Sequence, residues 1–364
     1  MLIAPDAIEP GPSSAPSGPP RGPGRPTRDG SGPSRRPRRL QSLVLLAAVF
    51  AVTGAAGVLV TAHQQVDKIT RIDNLVFSPS NGNVENYLLV GSDSREGADP
   101  SDPDFGAIGG ADQVTGNRSD TVMILRRDLD GGRAALLSLP RDLCIDLPDC
   151  NKPRRINAAY QDGPQALIDV IKNTFGIPIH HYVEIDFQGF KSLVNAIGGV
   201  KICTAFGLPI RDIHTGLNVP NGGCVTLDGF QGLAYARSRH LQTYDPATDT
   251  WNEDPASDFG RIKRQQEFIN TVLEGAVAKV KGNPLKAGDV MVSITGALTM
   301  DSGLDVIGAA SAMREAVGGG LDKFTVPVRG KNVDGNAMLV LSDGFQEYID
   351  YFRGTSDTPP PTTP

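Results

Sequence analysis

The sequence predicts an α/β fold: α/β/α layers around a central mixed β-sheet flanked by helices, preceded by one transmembrane helix. Three observations carry this expectation. Short apolar runs bounded by Gly, Asp or Pro alternate with longer stretches of helical spacing. A charge-free run of 20 residues, Leu43 to Ala62, lies behind a cluster of arginines. The hydrophobic fraction of 39% is too high for a disordered chain and too low for a polytopic membrane protein.

The elements follow in chain order. Residues 1–42 are rich in Pro, Gly, Ser and Arg, with seven Arg against three acids, and are expected to be a disordered cytoplasmic tail. Residues 43–62 are long enough to span a bilayer. Arg35 to Arg39 precede them, so the positive-inside rule places the N-terminus in the cytoplasm and the remainder outside. A cleaved signal peptide is the competing reading, but its polar lead would be unusually long. Residues 63–85 read as a spacer with a short helical start. Tyr87 to Val90, Thr121 to Leu125, Ala134 to Leu139, Tyr182 to Ile185, Phe324 to Val328 and Met338 to Leu341 read as strands. Helical spacing marks Gly163 to Phe175, Phe187 to Ile197, Phe259 to Lys281, Lys286 to Ile294, Leu304 to Val317 and Gln346 to Phe352. Residues 86–353 form the expected extracytoplasmic catalytic domain, and 354–364, with several Pro, a disordered tail. Glu96 to Asn117 and Leu241 to Ser257 read as long loops, a frequent place for function. Asp99, Asp102 and Asp104 lack the spacing of a calcium loop.

The net charge of −6 over an Arg-rich tail makes the exported part acidic, which argues against nucleic acid as a partner. Cys144, Cys150, Cys203 and Cys224 lie beyond the apolar run, show no zinc spacing and leave three pairings open. The two local bridges, Cys144–Cys150 and Cys203–Cys224, are favoured because each pair is close in sequence. His180-His181 has no partner carboxylate at useful spacing and reads as structural.

Polar clusters sit at strand ends and helix starts, where α/β sheets place ligands. They are Gly91 to Arg95, Arg118 to Thr121, Leu139 to Asp142, Ala236 to Arg239 and Asp258 to Gln266. Arginines gathered at such places suit a phosphate group, because the planar fork donates two parallel hydrogen bonds. Arg261 and Arg264-Gln265 share one face of the first turns of a long helix, whose N-terminus favours anions. Asp93 and Asp120 suit a magnesium ion bridging phosphates. The chain has no nucleophile elbow, P-loop or H-E-x-x-H motif.

Seven stretches agree in order with one family: NYLLVGSDSR (Asn86 to Arg95), RSDTVMIL (Arg118 to Leu125), LSLPRD (Leu137 to Asp142), RINAAY (Arg155 to Tyr160), VEIDFQGFKSLVNAIGGV (Val183 to Val200), LDGFQGLAYARSRH (Leu227 to His240) and DFGRIKRQQEFI (Asp258 to Ile269). Together they resemble the LytR–CpsA–Psr family from about Asn86 to Tyr351. The resemblance implies a magnesium-dependent phosphotransferase of the bacterial cell membrane, with its domain outside. Its expected partners are a glycopolymer on a polyprenyl-pyrophosphate lipid and a peptidoglycan hydroxyl as acceptor. It implies metal contacts for Asp93 and Asp120, and a pyrophosphate set of Arg118, Arg141, Arg237, Arg239, Arg261 and Gln265. Asp93, Asp120, Arg141 and Arg261 are the expected catalytic residues, with Arg95 as a further candidate. Two departures stand out. Leu143-Cys144-Ile145 follows the PRD motif where some members carry another basic residue, and the interval from Arg239 to Asp258 is long. Water and a sugar hydroxyl meet the same phosphorus, so a pyrophosphatase stays open. A non-catalytic envelope regulator is the other alternative.

Overall fold

The structure is a computed structural model. It describes residues 69–80, 83–94, 101, 119–130, 134–282, 298–305 and 320–361, all within one unit, Thr53–Pro364. The expected transmembrane run, the segment bearing Arg95 and Arg118, the candidate calcium loop and the helix expected over Lys286 to Ile294 lie outside these residues. Only Leu304 and Asp305 of the helix expected over Leu304 to Val317 lie within them. Among the described residues no helix is long and apolar enough to cross a membrane.

In chain order the elements are β1 (Thr70–Ile72), β2 (Val84–Ser92), β3 (Ser119–Asp128), β4 (Ala134–Leu139), α1 (Ile156–Ala159), α2 (Pro164–Phe175), β5 (His181–Ile185), α3 (Phe187–Ile197), β6 (Val200–Cys203), β7 (Ile210–Asp212), β8 (Leu217–Val219), β9 (Cys224–Leu227), α4 (Gly229–Arg237), β10 (Gln242–Asp245), β11 (Thr250–Glu253), α5 (Ser257–Gly282), β12 (Leu298–Asp301), β13 (Leu321–Thr325), β14 (Val328–Val333), β15 (Asn336–Leu341) and α6 (Phe345–Arg353). Among the described residues, seven strands form a mixed sheet in the order β1-β12-β5-β2-β3-β4-β13. β2 runs parallel to β5 and antiparallel to β3, and β4 is antiparallel to β3. The carboxyl ends of β2, β4 and β5 therefore share one sheet edge with the start of β3.

The central strands are apolar on both faces because both faces are covered. Leu88, Ile124 and Leu137 pack with Leu167, Ile171 and Phe175 of α2 and with Tyr348 and Phe352 of α6. Their neighbours in sequence, Tyr87, Met123, Leu125 and Leu136, point the other way, toward Met300 and Ile269. The helices are delimited by local chemistry. Asp186 and Asp228 cap α3 and α4 by accepting from the backbone N–H of Gly189 (2.7 Å) and Gln231 (2.9 Å). Pro164 opens α2, and Gly176 closes it at φ 66°. α3 and α4 approach closely at Gly229, where a Cβ would lie 2.5 Å from the Lys191 carbonyl oxygen.

The structure corrects several sequence expectations. Within the expected spacer, β1 is the edge strand of the central sheet and pairs with β12. The strand expected over Phe324 to Val328 is two strands, broken at Val326-Pro327, because proline cannot donate to the ladder. The loop expected over Leu241 to Ser257 is mostly a β10–β11 hairpin, joined to β7 and β8 in a four-stranded sheet of order β11-β10-β7-β8. In the expected tail, Tyr348 donates to the Pro361 carbonyl at 2.7 Å and the Thr355 N–H to Asp350 at 3.0 Å, which ties the segment to α6.

Both expected disulfides are present. Cys203 and Cys224 face each other across the β6–β9 pair, and Cys144–Cys150 is buried beside Val333, Met338 and Val340. The expectation that His180-His181 lacks a partner carboxylate is corrected for His181, whose partners come from distant strands. The Asn86 N–H donates to His180 Nδ1 at 2.9 Å. His181 stacks on Tyr87 between Asp301 (3.3 Å) and Glu85 (3.4 Å).

Candidate functional site

At the shared sheet edge the β2–β3 ladder is irregular. Gly91 pairs with Thr121 and Ser92 with Ser119, so Asp120 is the extra residue of a bulge. Such a bulge re-aims a side chain. Gly91 admits the close approach, since a Cβ there would lie 3.0 Å from Thr121 Cβ. Arg141 follows Leu139-Pro140 off the end of β4, and its Nη1 lies 2.8 Å from Asp120 Oδ1. Asp142 holds Arg155, with Nε at 3.1 Å, and lies 3.6 Å from Arg141 Nε.

The other arginines come from the end of α4 and the start of α5. Arg237 is the last residue of α4, with its guanidinium 4.4 Å from the centre of the Phe187 ring. Arg239 Nε and Arg261 Nη2 lie 3.1 and 3.0 Å from the same oxygen, Asp258 Oδ1. Asp258 sits in the first turn of α5, where the helix dipole favours an acid. The turn after α4 is fixed by Asp212, which is fully buried. It accepts from Ser238 Oγ (2.6 Å) and from the N–H groups of His240 (3.1 Å) and His214 (2.9 Å). Burial pushes the Asp212 carboxyl up, but these three bonds outweigh it and hold the group below the usual range. Arg264 bonds the Ser238 carbonyl oxygen and pairs with Asp254 at 3.3 Å.

Burial pushes the Arg261 guanidinium below its ordinary value. Asp258 opposes this, while the nearby Arg141 and Arg239 reinforce it. For Arg141, burial lowers, but Asp120 and Asp142 together raise the group above its usual value. Guanidinium stays charged either way. Arg141, Arg239 and Arg261 thus crowd into a small volume around Asp120 and Asp258. The contacts to Asp258 lack hydrogen-bond alignment: both of its carboxylate oxygens, and Nε of Arg141, Arg239 and Arg261, are buried without a hydrogen-bond partner. Buried groups of this kind are costly, and a phosphate would satisfy the donors.

Beside the cluster is a cavity of about 270 Å³. Its walls are Leu89, Val183, Ile185 and Leu298 of the sheet, Phe187, Phe190 and Leu193 of α3, Leu233 of α4, and Phe268 and Ile269 of α5. Ser92, Asp120, Thr121, Asp186, Arg237 and Gln265 are the polar side chains among these apolar walls. An apolar cavity with few polar groups is the usual form of a small-molecule site.

The structure brings Arg141, Arg239, Arg261 and Asp120 into one cluster, and places Arg237, Gln265 and Asp120 on the cavity. Asp93 directly follows β2 and is half-buried. Arg264, expected on the same face as Arg261, instead buttresses the turn through Ser238 and Asp254. The sequence reading passed over Asp258 and Asp212. Asp258 stood in the quoted DFGR stretch, three residues before Arg261, a spacing that signals a helical ion pair. Asp212, in a three-residue strand, gave no signal. Among the described residues no three His, Cys, Asp or Glu side chains converge as a metal site. Two carboxylates stand at this edge, Asp93 just after β2 and Asp120 in the bulge; a magnesium ion is usually held by one or two carboxylates together with phosphate oxygens.

The LytR_cpsA_psr family model matches residues 49–349. The chain belongs to this family. It is 31% identical over 285 residues to the probable cell wall biosynthesis protein LcpB of Corynebacterium glutamicum, covering 78% of this chain and 64% of that one. It is 35% identical over 171 residues to the polyisoprenyl-teichoic acid–peptidoglycan teichoic acid transferase TagU of Enterococcus faecalis, covering 46% and 49%. The chain thus spans about half to two thirds of the length of these relatives. The LytR-Csp2A-Psr enzyme from Actinomyces oris shares the fold, with TM-score 0.59 and 23% identity over 78% of this chain and 95% of that one. The central mixed sheet between helices is therefore the LytR–CpsA–Psr fold.

Proposed function

We propose that this family member transfers a cell-wall glycopolymer, with its proximal phosphate, from a polyprenyl-pyrophosphate lipid to a hydroxyl of peptidoglycan. The observation that carries the reading is the junction of an apolar cavity with a guanidinium cluster in which the buried Nε atoms of Arg141, Arg239 and Arg261 lack a hydrogen-bond partner. A polyprenyl pyrophosphate has the same two parts. The name of the TagU relative, polyisoprenyl-teichoic acid–peptidoglycan teichoic acid transferase, supports the same class.

In this reading the prenyl tail lies between the sheet and α3, α4 and α5. Arg141, Arg237, Arg239 and Arg261 grip the pyrophosphate, and Asp258 holds two of them in place. Phosphoryl transfer needs positioning and charge neutralisation rather than a covalent nucleophile. The acceptor oxygen attacks the proximal phosphorus, and the bond from that phosphorus to the bridging oxygen breaks. Polyprenyl phosphate leaves with the electron pair. The acceptor proton passes to a carboxylate at the sheet edge, Asp93 or Asp120. Asp93 and Asp120 would also hold magnesium, which when bound supplies further charge neutralisation. Residues 43–62 anchor the chain, with the domain outside the membrane, and the two disulfides fit that oxidising location.

Product analysis with and without peptidoglycan tests this. The expected result is polyprenyl phosphate released in step with a new phosphodiester on peptidoglycan. Equal release without acceptor would make the chain a pyrophosphatase instead.

A further inference from the structure

A second opening lies on the other side of α5. It is a groove of about 580 Å³ walled by Phe259, Lys263 and Glu267 of that helix and by Lys323 and Thr325 of β13, with Ser342 beyond β15. Phe259, Lys263 and Glu267 follow at intervals of four, so they lie along one helix face. Gln265, Phe268 and Ile269 lie on the face that walls the lipid cavity. Phe259 is 47% exposed.

Both walls of the groove adjoin, along the chain or through the backbone, segments that carry the guanidinium cluster. Phe259 and Gly260 stand between Asp258 and Arg261 in the first turn of α5. On the opposite wall, the Val326 N–H donates to the Ser138 carbonyl at 3.2 Å, and Ser138 lies three residues before Arg141.

We propose that this groove binds the acceptor, a peptidoglycan strand; the inference rests on the transferase reading. In phosphoryl transfer the attacking and leaving oxygens lie roughly in line across phosphorus. The leaving group belongs to the lipid, whose tail occupies the cavity on one face of α5. The attacking hydroxyl therefore enters from the opposite side, where the groove opens. Its chemistry suits a glycan carrying acidic peptides. Lys263 and Lys323 meet carboxylates, Thr325 and Ser342 meet sugar hydroxyls, and the open ring of Phe259 offers an apolar face to a pyranose.

The test uses the full chain in lipid nanodiscs and soluble, uncrosslinked peptidoglycan strands as the probe. Lys263→Glu with Lys323→Glu should raise the strand Kd by about ten-fold or more, and raise the acceptor KM, while polyprenyl-pyrophosphate donor stays bound. Lys263→Arg with Lys323→Arg should restore strand binding. Unchanged strand affinity in the Glu variant, or no strand binding by the parent chain, overturns the groove. So does loss of strand binding in Arg211→Ala or Trp251→Ala, which would move the acceptor to the β7–β8–β10–β11 sheet. Strand binding that the Glu variant weakens, with no transfer from donor, supports the groove and sinks the transferase reading instead.

Discussion

The two faces of the central sheet begin from the same alternation of apolar residues and end differently. One face is closed: α2 and α6 fill it with Phe175, Tyr348, Tyr351 and Phe352, and Phe324 meets three of those rings edge-on. The other face keeps an apolar space between the sheet and α3, α4 and α5, and that space reaches Arg237 and Asp120. The closed face is built for stability. The open face leaves packing unmade, and under the proposed function the donor's apolar part supplies it.

Substitutions on each side can break this contrast. On the closed face, Phe352→Ala should cost about 3–5 kcal/mol in urea unfolding. At the mouth of the open face, Arg261→Ala should lower kcat/KM for transfer by about 10²–10³-fold, on the scale of losing one transition-state donor. Arg261→Lys should recover only part of this, because the fork is lost. Full transfer by Arg261→Ala would remove the cluster from the mechanism.

The disulfides sharpen the contrast further. Replacing Cys203 and Cys224 by Ser should cost about 3 kcal/mol, and replacing Cys144 and Cys150 about 2 kcal/mol, since the first closes the longer loop. A smaller effect is expected inside the cavity. Leu193→Trp should change stability by less than about 1.5 kcal/mol while blocking donor binding. A loss as large as that of Phe352→Ala would mean that the open face is packed after all.

The smallest effect is a pH dependence away from the site. Burial lowers the His181 pKa, but Asp301 and Glu85 outweigh it and raise the group above 6.5. Its contribution is therefore complete below about pH 6.5 and is lost as pH rises through the raised value. Tm should fall across that window in the parent chain and stay flatter in His181→Gln.

Much of this was legible in the sequence where a signal was long or chemically specific. The YLLV, TVMIL and AALLSL runs marked β2, β3 and β4. The stretch from Phe187 to Ile197 gave α3 with its bounds, because Asp186 caps it and Gly198 ends it. The arginines at strand ends and at the start of α5 were visible by type and place. Strands of three or four residues, such as IRD, LNV, QTYD and TWNE, were not. They carry too few alternations to register, and only their mutual pairing makes them strands. Asp212 was hidden for the same reason, since its partners come from the turn after α4. Asp258 was in view but read as part of a motif, and its role between Arg239 and Arg261 emerges only when α4 and α5 meet.

The central claim is that the cavity and the guanidinium cluster together hold a polyprenyl pyrophosphate. Photo-crosslinking with a donor lipid that carries a diazirine along its prenyl tail tests it most directly. After proteolysis and mass spectrometry, the account expects adducts on Phe190, Leu193, Phe268 or Ile269, competed away by unlabelled polyprenyl pyrophosphate and diminished in Arg261→Ala. Competable adducts confined to α2 or α6, or labelling that unlabelled lipid fails to compete, would contradict it.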